Sequence, residues 1–153
     1  LQLVNIARDI PADWGRHTVF VPQDMCEAHG IQPEALPDPT RRACSSKVLL
    51  DLIRLADHEL REAQEYVLDL PRTAFRVRLF CLWPLLMAQD TLVLLARQPA
   101  AALDPAARIK IGRRRVKFIV YSTIACCWSN GLLRLQFWWR NRAMKKHLSG
   151  APV

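Results

Sequence analysis

Apolar positions return at helical spacing through most of the chain, and proline or glycine marks the places where the pattern fails. In the opening stretch Leu3, Ile6 and Ile10 form an apolar arc that seats a helix over residues 1–13. Between His17 and Cys44 the pattern is broken by Pro22, Gly30, Pro33, Pro37 and Pro39, which predicts a loop with one short helix at 23–29. Helical spacing resumes over residues 45–70 through Val48, Leu49, Leu52, Ile53, Ala56, Leu60 and Val67. Ser45 or Ser46 is the expected cap of this helix and Pro71 its stop. A further long helix is expected over 73–97, its apolar run interrupted by Pro84. The link 98–107 offers Asp104-Pro105 as a helix cap and first position. A final helical region starts at Ile109 or Arg113 and runs to Lys146, weakened at Ser129-Asn130-Gly131. No alternation of strand type is sustained and no repeat is evident, so the expected architecture is all-α.

Two of these segments raise the question of a membrane. In 73–97 the polar residues Gln89, Asp90 and Thr91 interrupt the apolar window, which favours a buried helix over a span. The last region combines Phe137, Trp138 and Trp139 with flanking basic residues, a pattern suited to peripheral contact with a membrane surface. Asn130, Arg134 and Gln136 argue against a simple span there.

The polar positions of the first helix change the picture most. At 100° per residue, Gln2, Asn5, Asp9 and Asp13 fall within about 80° of one another. Two carboxylates one turn apart, with an amide one turn earlier, make an oxygen-rich edge suited to a hard cation such as Mg²⁺. A solvated helix face is usually rich in Lys and Glu, and this stretch has neither.

Charge narrows the range of partners. The 153 residues are 51% hydrophobic, the size of one domain, and carry a net charge of +8. The excess lies towards the C-terminus: Arg108, Lys110, Arg113, Arg114, Arg115 and Lys117, then Arg140, Arg142, Lys145 and Lys146. Such a surplus suits an anionic partner, whether nucleic acid, phospholipid or diphosphate. No zinc-finger spacing, RNP-like strand or helix-turn-helix accompanies it, so a nucleic-acid partner is not expected. Cys26, Cys44, Cys81, Cys126 and Cys127 show no Cys-x-x-Cys spacing, and an odd count favours a reducing, cytoplasmic compartment. His58 stands among charged residues and reads as a surface histidine.

The pattern Gln2-x-x-Asn5-Ile6-x-Arg8-Asp9-x-x-x-Asp13, followed by Phe20-Val21-Pro22, resembles the second aspartate-rich motif of the squalene/phytoene synthase family. Phe80-Cys81-Leu82-Trp83-Pro84 before an apolar helix, then Ile109-Lys110-Ile111 before a basic cluster, is similar to the squalene-synthase branch. Together these matches span roughly residues 1–140 in consistent order. Two departures stand out: Thr18 occupies a position where the family usually carries Arg, and Pro11 lies between the two acids. Pro11 disfavours helical geometry at Ile10, so a bend is expected there.

The resemblance implies an isoprenoid-synthase-type helical bundle, of which this chain is the C-terminal part. Leu1 opens within a helix already carrying site residues, and no second Asp-x-x-x-Asp occurs on a comparable face. On that reading the part with the first aspartate-rich motif is absent. The implied activity is Mg²⁺-dependent head-to-head joining of two prenyl diphosphates, foremost farnesyl diphosphate to presqualene diphosphate and squalene, with NADPH where reduction follows. Asn5, Asp9 and Asp13 are the expected metal ligands, Asp9 and Asp13 the catalytic pair, and Gln2 and Arg8 the substrate-binding residues. Arg8 would meet the diphosphate with its fixed fork of donors. The carbocation needs an apolar, partly aromatic wall, for which residues 80–84 are candidates. The alternatives are a phytoene or dehydrosqualene synthase, a non-catalytic relative that keeps the fold, and a basic membrane-surface module built on the tryptophan-rich tail.

Overall fold

The computed structural model describes residues 1–107 and 109–149, so Arg108 of the basic series lies outside it. Among the described residues there are helices and turns and no strand. The expected all-α, isoprenoid-synthase-type bundle is the fold observed.

Helix α1 runs from Gln2 to Trp14 and continues through Pro11. Its buried residues are Val4, Ala7 and Ile10, with Leu3 and Ile6 only partly buried against the core. The expected arc of Leu3, Ile6 and Ile10 is thus rotated by one position. This rotation matters, because it decides which polar residues stand at the edges of the buried stripe. The helix ends in a Schellman arrangement: the Thr18 N–H donates to the Asp13 carbonyl at 3.0 Å and the His17 N–H to the Trp14 carbonyl at 2.8 Å. His17 takes the left-handed position at φ 58°, where glycine normally stands.

The loop that follows holds the short α2, Gln23–Glu27, and two 3₁₀ turns, Pro33–Ala35 and Pro39–Arg41. Trp14 Nε1 donates to the Glu34 carbonyl at 2.9 Å and ties the end of α1 to this loop. Asp38 accepts from the Thr40 N–H at 2.8 Å, and from the turn thus capped α3 starts directly, at Arg42. Ser45 and Ser46 are therefore not caps. They lie inside α3 and donate to the Arg41 and Arg42 carbonyls four residues back, at 3.2 and 2.7 Å. α3 extends to Asp69, about 42 Å for 28 residues. Leu70 is extended at ψ 139°, as the residue before a proline prefers.

Helix α4, Phe75–Arg97, is the centre of the bundle and packs against α1, α3, α6 and α7. From Leu85 to Ala96 nearly every residue is buried, which is why its sequence is apolar on most sides and its Gln89, Asp90 and Thr91 find hydrogen-bond partners inside the bundle. It is the one described helix with the length and composition of a membrane span, and in this fold it is a core helix. The next single turn, α5 (Pro99–Ala102), is opened by Pro99 rather than by Asp104-Pro105. Asp104 instead takes the Ala106 N–H in a turn, at 2.9 Å. The final region is two helices, α6 (Arg113–Cys126) and α7 (Asn130–Ser149), joined by three residues into a hairpin. Gln136 Nε2 donates across this hairpin to Ser122 Oγ at 3.0 Å.

Three polar contacts fix the helices to one another. Asn141 of α7 accepts from Gln64 of α3 and Gln89 of α4, both at 3.2 Å, and donates back to Gln64 Oε1 at 3.0 Å. Asn130 accepts from the fully buried Arg78 at 2.6 Å and donates to the Leu68 carbonyl at 3.0 Å. Asp90 of α4 receives Arg115 of α6 at 2.5 and 3.0 Å, with Arg140 of α7 at 3.4 Å.

Candidate functional site

Between α1, the middle of α4 and the link before α6 lies an open groove of about 660 Å³. Its apolar lining comes from Val4, Pro84, Met87, Ala88 and Ile111, and its polar lining from Asn5, Arg8, Asp9 and Lys110, with Thr91 at the α4 side. The rotation of α1 explains this choice. With Val4, Ala7 and Ile10 at the core, Asn5, Arg8 and Asp9 fall on one flank of the buried stripe. Asp13 falls on the other flank.

The structure accordingly divides the predicted residues. Asn5, Arg8 and Asp9 share the groove. Asp13 borders a separate depression with Ile6, Ile10, Thr18 and Phe20, whose volume of about 10 Å³ is room for a single water. Asp13 also pairs with Arg16 at 3.6 Å. Gln2 is exposed and borders neither space. Of the five residues 80–84, only Pro84 lines the groove: Phe80 is 77% exposed and Leu82 is in the core.

Arg8 donates both Nε and Nη2 to the Asp9 carboxylate, at 2.8 and 2.6 Å. This pair of hydrogen bonds outweighs partial burial and holds the Asp9 pKa below the usual carboxylate range, with Arg16 and Lys110 adding to the effect. Asp9 is therefore anionic at neutral pH. In the sequence Lys110 stood in the basic series and in the Ile109-Lys110-Ile111 stretch, neither of which placed it beside α1. The fold brings it to the groove from more than 90 positions away because the link after α5 returns over α1 and α4.

Asn5 and Asp9 are hard oxygen donors, the right chemistry for Mg²⁺, which takes one or two protein carboxylates and fills its remaining positions with water and substrate phosphate. Among the described residues no group of three or more His, Cys, Asp or Glu is placed to hold a metal without such help. The donors present fit a metal that arrives with its diphosphate. All five cysteines are free thiols, with Cys26 and Cys127 buried.

The squalene/phytoene synthase family model matches residues 1–115, which include the whole of the α1 groove and end at Arg115 in the first turn of α6. No curated protein and no solved structure matches the chain. With three quarters of its length under that match, and an all-helical bundle carrying an aspartate-rich helix beside an apolar groove, the chain belongs to the squalene/phytoene synthase family.

Proposed function

We propose that the α1 groove is the part of a prenyltransferase site that grips a departing diphosphate. The family joins prenyl diphosphates head to head, and the finer assignment offered here is farnesyl diphosphate condensed to presqualene diphosphate and squalene. The observation that carries it is the rim of Asn5, Arg8, Asp9 and Lys110 along an apolar groove. In an allylic diphosphate the carbon–oxygen bond breaks with both electrons going to oxygen, which leaves a delocalised carbocation. Bound Mg²⁺ would act as a Lewis acid on the leaving oxygens, held through Asp9 and Asn5, with Asp13 contributing if its side chain turns from Arg16. Arg8 and Lys110 stabilise the negative charge that develops on the diphosphate. Val4, Met87, Ala88 and Ile111 keep water from the cation. Gln2, at the head of the polar row, would meet the substrate as it enters. The chain then supplies one wall of the cavity, and a second aspartate-rich helix facing the groove would complete the metal set.

The test is incubation of the full-length protein with farnesyl or geranylgeranyl diphosphate and Mg²⁺, with NADPH present or omitted. A C30 product that becomes squalene only with NADPH supports the assignment. A C40 product moves it to the phytoene branch, and a C30 product unaffected by NADPH moves it to the dehydrosqualene type. Asp9→Ala should abolish turnover with helix content unchanged. Retained activity removes Asp9 from the metal site and favours a non-catalytic role for this groove.

A further inference from the structure

A second groove, of about 430 Å³, lies between α4, α6 and α7 and shares no residue with the α1 groove. Its volume is within the range of about 300–1,000 Å³ typical of small-molecule sites. Asp90, Arg97, Arg115 and Arg140 supply its charged lining and Phe118, Leu132, Leu135 and Trp139 its apolar lining, and the two meet where the Arg115 guanidinium lies over the Phe118 ring, 5.4 Å from its centre. All four apolar residues are exposed, although large side chains on two adjacent helices ordinarily turn inwards.

The charged lining is unbalanced. Asp90 is the only carboxylate there, and it meets two guanidinium groups, with Arg97 on the rim. Arg140 is 7% exposed; its Nε faces the Asp90 carboxylate at 3.4 Å, and its Nη2 lacks a hydrogen-bond partner. A buried donor left unmatched is costly and marks a place where a further acceptor fits. Nothing nearby in sequence supplies one: from Pro105 onward the chain contains no Asp or Glu and eleven Lys or Arg.

We propose that this groove binds an anionic amphiphile, its phosphate-type head against Arg115 and Arg140 and an apolar tail along Leu132, Leu135 and Trp139. The two kinds of lining in one groove call for this combination. A free anion would leave the aromatic wall in water, and a neutral chain would leave the guanidinium surplus unmatched. A soluble alkyl or prenyl phosphate and a membrane phospholipid share this chemistry. The inference does not rest on the reading of the α1 groove.

Isothermal titration calorimetry of the full chain tests it, using dodecyl phosphate below its micellar concentration, inorganic phosphate, and dodecyl maltoside as a neutral tail. Dodecyl phosphate should bind about tenfold or more tightly than either half-ligand. Arg115→Gln and Trp139→Ala should each weaken that binding about tenfold, with circular dichroism unchanged. Lys117→Gln removes the same charge outside the groove and should leave binding as it was. Co-sedimentation with phosphatidylcholine vesicles, with and without phosphatidic acid, separates the sources: loss of vesicle binding in Arg115→Gln but not Lys117→Gln identifies the lipid as an occupant. Binding only to free dodecyl phosphate identifies a soluble one. Equal loss in Arg115→Gln and Lys117→Gln, or equal affinity for dodecyl maltoside, overturns the proposal.

Discussion

Arg8 folds its guanidinium back onto the carboxylate of Asp9, its immediate neighbour, so that Nε and Nη2 occupy both carboxylate oxygens. Adjacent residues on a helix do not normally face each other. The contact exists because the long arginine stem can curl back to its neighbour, and both side chains line the same groove. On the proposed function these two side chains would meet a diphosphate and its cation, and in this structure each satisfies the other.

Arg8→Gln should free Asp9 for metal while removing a diphosphate donor. An exposed ion pair of this type contributes about 0.2–1 kcal/mol, so affinity for Mn²⁺, used as a paramagnetic stand-in for Mg²⁺, should rise by about fivefold at most. Diphosphate binding should fall at the same time. Titration by electron paramagnetic resonance measures the first effect and calorimetry the second. A fall in both would mean that Arg8 orders Asp9 rather than competing for it.

Asp90 holds α4, α6 and α7 together through Arg115 and Arg140, and Asp90 and Arg140 are both buried. Asp90→Asn leaves two guanidinium groups without their counter-charge. Removing one partner of such a buried pair costs about 3–5 kcal/mol, to be read from urea denaturation followed by tryptophan fluorescence. A loss below about 1 kcal/mol would place the cluster among the weak surface pairs.

His17 pays for ending α1, since a non-glycine residue at positive φ carries a cost of about 1–2 kcal/mol. His17→Gly should therefore raise stability by about 1 kcal/mol and leave the groove unchanged, because His17 borders neither depression on α1. Thermal unfolding of the two proteins side by side provides the measurement.

Cys26 has no solvent exposure, and burial, with smaller contributions from Glu34, Asp24 and Glu27, pushes its thiol up to about 11. The folded protein keeps this proton over a range where the unfolded chain, with an ordinary thiol near 9.0, gives it up. Stability from this group is intact below pH 9 and declines as pH rises towards 11, by about 3 kcal/mol at most. At pH 8.5 iodoacetamide should modify the partly exposed Cys44 and Cys81 well before Cys26, as read by peptide mass spectrometry.

Helical spacing located the long elements because burial on one face leaves a period that survives in the sequence. It failed where a local hydrogen bond decided the outcome. Ser45 and Ser46 carry the chemistry of caps, but Pro39 and Asp38 begin the turn earlier and leave them inside α3. Asp104-Pro105 has the form of a helix start, and Pro99 takes that role one turn sooner. At the site, the row from Asn5 to Asp13 was visible on a helical wheel, yet its division between two depressions depends on the one-residue rotation of the core stripe. Lys110, Arg115 and Arg140 join their partners across long separations, and charge alone does not show where such residues go.

The amide cluster around Asn141 has a mechanical meaning. A slip of α7 by one turn, about 5.4 Å, would bring Phe137 or Lys145 opposite Gln64 and Gln89, where neither can replace the amide. Asn141 therefore acts as an indexing pin: the helix seats at one step along its axis and no other. At that step Arg140 reaches Asp90, so a single side chain on the α3-facing side of α7 sets whether the charged lining of the second groove exists at all.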